Sequence, residues 1–281
     1  MENRKPYPTD LTDEQWKIVS PLIPQPKPGG RPAVYPRREI ASAIFYQMRG
    51  GAAWRMLPHD LPPWGITYHY FRIWRKDGTW ERIHDQLRGD VREAAGRERE
   101  PSAGCMDSQS VKTTDRGGVD GYDAGKKVHG RKRHVLVDTM GLVWLIVVTA
   151  ASVQDRDGAR ILLQALSTGM RRLRVIWADG GYSGVLVEWV RALRKWGEVR
   201  LELVNRSAAG KGFQRLPHRW IVERTFGWFN KWRRLSKDYE FLTETSETAI
   251  RVVMIHIMAR RLAVAKQEAK KTDKLVPIGA F

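Results

Sequence analysis

The stretch RKRHVLVDTMGLVWLIVVTA, residues 131–150, decides how the second half of the chain folds. It contains two apolar runs rich in valine, leucine and isoleucine, which favour β-strands. Thr139, Met140 and Gly141 separate the runs, and a glycine here permits a tight turn. Asp138 precedes the turn, where aspartate commonly hydrogen-bonds to nearby backbone. The stretch therefore predicts two strands joined at residues 139–141.

Further strands and helices lie on both sides of this pair. A short predicted strand, GCMDSQSV (104–111), precedes it. The segments after it are predicted as a helix (156–168), a strand (173–183), a helix (184–197), a strand (199–206) and two helices (219–232 and 246–267). The order β-β-β-α-β-α-β-α-α indicates an α+β or mixed α/β fold, in which helices cover a mixed sheet.

The first hundred residues have a different pattern, because every regular segment in them is predicted to be helical. The four segments are residues 12–24, 36–51, 66–76 and 79–95. Thr12 and Gln15 have the spacing of a capping box, which marks the start of the first helix. The polar stretch GREREPSAG (96–104) resembles a linker. We therefore predict a helical domain at residues 1–100 and a mixed domain at residues 101–281.

The net charge of the chain is +18, from 49 basic and 31 acidic residues. Residues 1–100 contain 17 basic and 13 acidic residues, so residues 101–281 contain the other 32 and 18. Such an excess usually indicates a polyanionic partner, and nucleic acid is favoured over a membrane surface. One cysteine excludes an internal disulfide and a multi-cysteine zinc site. No signal-peptide core and no membrane-spanning apolar stretch are visible, which predicts a cytoplasmic protein.

Three acids occupy positions where a site could form. Asp107 lies in the first strand of the second domain, and Asp179 ends the strand RVIWAD before two glycines. Glu223 centres the polar face of the helix RWIVERTFGWFNKW (219–232), one turn after Arg219. Each acid alone could be a capping residue or one partner of an ion pair. Together, in a strongly basic domain, they could hold hard divalent cations through oxygen ligands.

Four motifs make the chain similar to a known family. They are MDSQSVKTT, GKKVHGRKRHVLVDTMGL, WADGGYS and RWIVERTFGWFNKWRR. In this order they resemble the DDE transposases of bacterial insertion sequences, within the superfamily that includes insertion sequences 4 and 5. The similarity extends from about Leu11 to Ala265. In the signature around the glutamate, Leu216 stands in place of the family's tyrosine, and Asn230, followed by Lys231, in place of its lysine.

The resemblance implies a ribonuclease-H-like catalytic core with Asp107, Asp179 and Glu223 as both catalytic acids and metal ligands. It also implies cleavage at the ends of a mobile element, followed by attack of the freed 3′-hydroxyl on target DNA. Mg²⁺ is the expected cofactor, with two ions in the site and Mn²⁺ as an alternative. By family analogy, the partners are the terminal inverted repeats, target DNA and a second copy of the chain in a homodimer, near the bacterial nucleoid.

Candidate DNA contacts come from three basic groups. The predicted phosphate contacts in the second domain are Lys126, Lys127, Arg131, Lys132 and Arg133, with Arg219, Lys231 and Arg234 around the acidic helix. In the first domain, Arg72, Arg75 and Lys76 lie on a helix that could be the recognition helix of a helix-turn-helix. The alternative for the first group is a solvated hairpin edge. The alternative for the group in the first domain is a helical domain that mediates only dimer contacts.

Three function classes remain open from the sequence. The first is an active, cut-and-paste transposase. The second is a metal-dependent DNA nuclease of the same fold without strand transfer. The third is a DNA-binding protein without catalytic activity. A nucleotide cofactor is not expected, because the segments AGKK (124–127) and GKGF (210–213) lack the spacing of a phosphate-binding loop.

Overall fold

A computed structural model of the chain describes residues 4–25, 29, 34–166, 172–192, 199–204 and 218–275, with side chains described up to residue 269. The chain divides into two compact units. One unit combines Met1–Arg99 with Arg251–Phe281, and the other is Glu100–Ile250. The predicted boundary near residue 100 assigned all of residues 101–281 to one domain. The division differs from this, because the end of the chain groups with the N-terminal helices.

The N-terminal part of the first unit contains four helices, as its sequence predicts. They are α1 (Asp13–Val19), α2 (Arg37–Gly50), α3 (Trp64–Lys76) and α4 (Thr79–Ala94). The capping box at Thr12 and Gln15 is confirmed, with both of its hydrogen bonds present. Aromatic side chains fill the interior, and the Trp74 and Trp80 rings meet edge to face at 5.1 Å.

The second unit is built on one six-stranded mixed sheet. Its strands are β1 (Ala103–Lys112), β2 (Gly121–Asp123), β3 (Val128–Asp138), β4 (Val143–Ala150), β5 (Val175–Asp179) and β6 (Arg200–Val204). The order is β2-β3-β1-β5-β6, and β4 also pairs with β3. β1 is antiparallel to β3 and parallel to β5, and β5 is parallel to β6. The predicted mixed sheet is therefore confirmed.

Helices α5 (Asp155–Gln164), α6 (Val185–Ala192) and α7 (Arg219–Asn230) pack against this sheet. Helix α8 (Thr243–Leu275) follows them, and most of it belongs to the first unit. Side chains from α5 and α6, including Leu162 and Leu186, share one apolar core with Met106 of β1 and Ile176 of β5. Alternate strand residues point to opposite faces. Asp107 and Asp179 therefore face away from that core.

The joint between β3 and β4 matches the sequence prediction closely. The Asp138 carboxylate accepts hydrogen bonds from the backbone N–H of Met140 at 2.8 Å and of Leu142 at 2.9 Å. Gly141 has φ +78°, a conformation that glycine adopts without strain. The short strand β2 was not predicted, because its three residues carry no alternating pattern. No helix in the described part of the chain is long and apolar enough to span a membrane.

The basic run at the start of β3 is buried, which corrects the predicted phosphate contacts there. Arg131, Lys132 and Arg133 are each less than 5% exposed. Arg131 pairs with the carboxylate of Asp238 at 3.1 Å, and both of these side chains are fully buried. Lys132 pairs with the carboxylates of Asp123 and Asp155. A side chain enclosed in this way cannot reach a DNA phosphate.

Arg133 is held by backbone carbonyls instead of an acid. Its guanidinium donates to the carbonyl oxygen of Leu235 at 2.8 Å and to the side chain of Gln109 at 3.3 Å. Burial without a close carboxylate lowers the pKa of Arg133 to about 10. These three basic residues therefore tie β3 to its surroundings and do not form a solvated edge.

We expect Arg131→Met to lower the free energy of unfolding by about 3–5 kcal/mol, because the substitution leaves the Asp238 carboxylate buried without its cation. Urea denaturation at neutral pH measures this loss. The control is Lys127→Met in the exposed turn before β3, which should change the free energy by less than about 0.5 kcal/mol. Equal stabilities for the two variants would contradict the structural role of Arg131.

Candidate active site

Two predicted acids meet because β1 and β5 are parallel neighbours. Ala103 pairs with Val175, and Cys105 pairs with Trp177. Asp107 and Asp179 each lie two residues beyond this last pair, on the same side of their strands. Both side chains point to the same face of the sheet, since alternate residues of a strand share a face. The pairing of β1 with β5 thus brings together two acids that are far apart in sequence.

Backbone hydrogen bonds orient both carboxylates. Asp107 accepts a bond from the N–H of Ser108 at 2.7 Å, and Asp179 accepts one from the N–H of Gly181 at 2.9 Å. Burial, and to a smaller extent the nearby Asp179 charge, raises the pKa of Asp107 to about 6. The Ser108 N–H, Arg219 and Lys126 oppose this rise. The positive groups around Asp107 are therefore too weak to offset the effect of burial on its carboxyl group.

Arg219 connects the third acid to this pair. Its guanidinium lies 3.8 Å from a carboxylate oxygen of Asp179 and 3.4 Å from one of Glu223. The Glu223 side chain is 53% exposed, so its own packing does not fix its position. The structure thus brings the three predicted acids and Arg219 to one face of the sheet.

The two predicted faces of α7 are confirmed. Ile221 and Thr225 are buried, whereas Glu223 and Asn230 are exposed. Thr225 donates to the carbonyl of Gly141 at 2.7 Å, which attaches the middle of the helix to the joint between β3 and β4. The apolar face therefore holds the helix, and the polar face carries the acid. Leu216 lies outside the described residues.

The donor chemistry of this cluster suits a divalent cation. Asp107 and Asp179 supply carboxylate oxygens, the ligands that Mg²⁺ prefers, and the raised pKa of Asp107 shows that added positive charge would be favourable there. Within the residues that the structure describes, no group of three or more His, Cys, Asp or Glu side chains is arranged to hold a metal ion. The three acids are therefore close in the fold without forming a ready-made ligand set.

A second polar network, which the sequence did not predict, lies beneath Asp107. The Ser108 hydroxyl donates to the Asp155 carboxylate at 2.8 Å. The Lys126 ammonium donates to the carbonyl and the hydroxyl of Ser108, at 3.1 Å and 3.0 Å. Asp155 is the first residue of α5, and its carboxylate bonds to Ser108 of β1 and to Lys132 of β3. This network holds one lysine beside the site.

The remaining basic residues predicted to contact DNA in the second domain differ in their exposure to solvent. Lys126, Lys127 and Lys231 are exposed, and Arg219 is partly exposed. Arg234 is buried and pairs with Glu240 at 2.6 Å, so its predicted DNA contact is corrected in the same way as those at the start of β3. Of the predicted contacts in the second domain, Lys126, Lys127, Lys231 and Arg219 are therefore the ones with exposed surface.

The basic candidates of the first unit lie on α3. Arg72 and Lys76 are exposed, Arg75 is partly exposed, and the helix contains no acidic residue. With His69, the exposed residues form one stripe at helical spacing. Residues 51–63 connect α2 to α3, whereas only Asp77 and Gly78 connect α3 to α4. Neither connection has the three or four residues typical of a helix-turn-helix.

Comparison with protein families agrees with this geometry. A model described as "Transposase DDE domain" matches residues 98–258, a range that contains Asp107, Asp179, Arg219 and Glu223. The chain belongs to the DDE transposase family. A second model, "Putative transposase of IS4/5 family", matches residues 11–84. As in the DDE transposase domain, the second unit has a ribonuclease-H-like fold, with the acids on its mixed sheet and an adjacent helix.

Two curated relatives of this DDE family member come from Burkholderia cepacia. One, "Insertion element IS402 uncharacterized 16.2 kDa protein", is 31% identical over 114 residues, which cover 38% of this chain and 76% of the relative. The other, "Putative transposase for insertion sequence element IS402", is 33% identical over 118 residues, which cover 40% of this chain and 54% of the relative. No solved structure matches the chain.

The raised pKa of Asp107 predicts a pH-dependent gain in stability for Asp107→Asn. Between about pH 4 and pH 6, the folded protein binds more protons than the unfolded chain, so its stability falls as pH rises. Asparagine does not titrate. The variant should therefore exceed the natural protein by up to about 3 kcal/mol above pH 6 and should match it near pH 4.

Urea denaturation across this pH range, with EDTA present, measures the difference. The matched control is Asp115→Asn, which removes an exposed carboxylate outside the site and should leave the pH profile unchanged. A constant difference between Asp107→Asn and the natural protein at all pH values would contradict the assigned pKa.

Proposed function

We propose that the chain is a DNA transposase that cleaves at the ends of an insertion sequence and transfers the freed strand to target DNA. The observation that carries this proposal is the parallel pairing of β1 with β5, which brings Asp107 near Asp179, together with Arg219, which links Asp179 to Glu223. Family membership supports the same reaction class. The three acids are the proposed catalytic residues and metal ligands.

The proposed cofactor is Mg²⁺, with Mn²⁺ as a substitute. Asp107 from the middle of β1 and Asp179 from the end of β5 would hold the cation, and Glu223 would complete the set from α7. When bound, two such cations stabilise the negative charge on the attacking and leaving oxygens of an in-line displacement. The chain itself supplies the carboxylate oxygens and the charges around them.

Arg219 and Lys126 would neutralise the DNA phosphate on either side of the acids. Arg219 lies against two of the acids, and Lys126 is held at Ser108, next to Asp107. Both charges act on the Asp107 carboxyl group, which supports a role for them beside the proposed catalytic acids. Lys127 and Lys231 are exposed and would extend this phosphate surface.

The exposed stripe of α3 is the proposed reader of the terminal repeats. Its basic residues meet no acid on their own helix, whereas α4 carries Glu81, Asp85, Asp90 and Glu93 among its arginines. An anionic duplex therefore fits α3 better than α4. We further propose that two copies of the chain act together, because two element ends must be joined in one reaction.

Substituting each acid tests the catalytic assignment. We expect Asp107→Asn, Asp179→Asn and Glu223→Gln each to reduce Mg²⁺-dependent cleavage of element-end DNA by at least about 10²-fold, because each removes a charge from the reacting centre. DNA affinity should stay within about threefold, since phosphate contacts by lysine and arginine remain. The matched control is Glu188→Gln on α6, an exposed acid outside the site, which should cleave normally.

A strand-transfer assay distinguishes a transposase from a nuclease of the same fold. Pre-cleaved end DNA with a free 3′-hydroxyl, a supercoiled target plasmid and Mg²⁺ should give joined products with the natural protein. The three acid variants should give none. Cleavage without any joining would instead favour the nuclease, and the short inverted repeats expected beside the gene would then lack a role.

The role of α3 predicts a loss of sequence preference in Arg72→Ala. If Arg72 contacts a base edge, the preference for element-end over scrambled DNA should fall by about 1–3 kcal/mol. Competition binding at fixed salt measures this preference. The control is Lys17→Ala, which removes an exposed charge from α1 and should leave the preference intact. An equal loss of affinity for both DNAs would reduce Arg72 to a phosphate contact.

A further inference from the structure

His218, the residue before α7, has a conformation that needs support. Its φ is +67° and its ψ is −29°, in the left-handed region that residues other than glycine rarely adopt. Its carbonyl oxygen accepts the N–H of Ile221 at 3.1 Å, which begins the helix, and the thiol of Cys105 at 3.2 Å. The backbone at His218 is therefore attached both to α7 and to β1.

The imidazole of His218 makes a second attachment, to β5. It stacks on the indole of Trp177, with ring centroids 4.0 Å apart and 9° between the ring planes. The Trp177 indole N–H donates to the carboxylate of Glu202 on β6 at 3.1 Å, which fixes the orientation of the indole. Ring stacking thus holds the start of α7 against the sheet.

The two residues that contact His218 lie on the same strands as two of the acids. Cys105 lies two residues before Asp107 on β1, and Trp177 lies two residues before Asp179 on β5. Cys105 and Trp177 are themselves a register pair. The two strands that carry Asp107 and Asp179 therefore also hold His218, the residue just before α7, the helix that carries Glu223.

We propose that His218 and Trp177 are positioning residues, whose stacked rings fix the rotation of α7 and so place Glu223 and Arg219 opposite Asp107 and Asp179. This inference rests on the proposed function for its catalytic consequence. Glu223 is exposed and cannot set its own position, and each residue along a helix turns it by about 100°. Thr225 attaches the helix beyond Glu223, and His218 attaches it before.

Two variants at one position separate the ring from the backbone. His218→Gly keeps the left-handed conformation without strain but loses the stack. His218→Phe keeps an aromatic ring but has no titratable nitrogen. We expect single-turnover cleavage at saturating DNA to fall about 10- to 100-fold in His218→Gly, with DNA affinity unchanged, and to be largely restored in His218→Phe. Equal losses in both variants would overturn the proposal and favour direct chemistry by the imidazole.

Hydrogen exchange tests the same proposal without requiring activity. In His218→Gly and in Trp177→Ala, the amides of the first turn of α7 should exchange on the order of tenfold faster, while those of β3 remain protected. The double variant should add little to either single variant. Unchanged exchange in the first turn of α7 would overturn the positioning role. If the variants show the expected faster exchange but the natural protein does not cleave DNA, only the proposed function is refuted and the positioning role stands.

Discussion

The parallel pairing of β1 with β5 is the constraint on which the rest of the site depends. β1 is central in the sheet, with antiparallel β3 on one side and parallel β5 on the other. Its register with β5 decides which side chains face each other across the strands. A shift of one residue would turn one acid toward the apolar core beneath α5 and α6. The buried pairs along both strands therefore protect the geometry of the acids.

Much of this arrangement could be predicted from local patterns in the sequence. The valine-rich runs around Gly141 identify β3 and β4, and the strand that ends in Asp179 before two glycines identifies β5. The amphipathic pattern of α7 separates the buried Ile221 from the exposed Glu223. These features depend on residues that are close in the chain, so periodicity and turn chemistry are sufficient to find them.

Interactions between distant residues could not be predicted in the same way. Arg131 meets Asp238 across 107 positions, and Cys105 meets the carbonyl of His218 across 113. From the sequence alone, a run of arginine and lysine at the start of a strand that is exposed to solvent cannot be distinguished from one that is buried and paired with acids. The four basic residues Arg131, Lys132, Arg133 and Arg234 are internal, so the net charge overstates the surface available for DNA.

The continuous helix α8 has a consequence for the synthesis of the protein. It runs from Thr243 to Leu275, and its residues from Arg251 onward belong to the same unit as the first helices of the chain. His256 contacts the ring of Phe45 and the carbonyl of Thr9, so the N-terminal unit receives part of its interior from near the end of the chain. Chains usually fold from the N-terminus as they leave the ribosome. Here helices α1–α4 can complete their interior only after α8 has been translated.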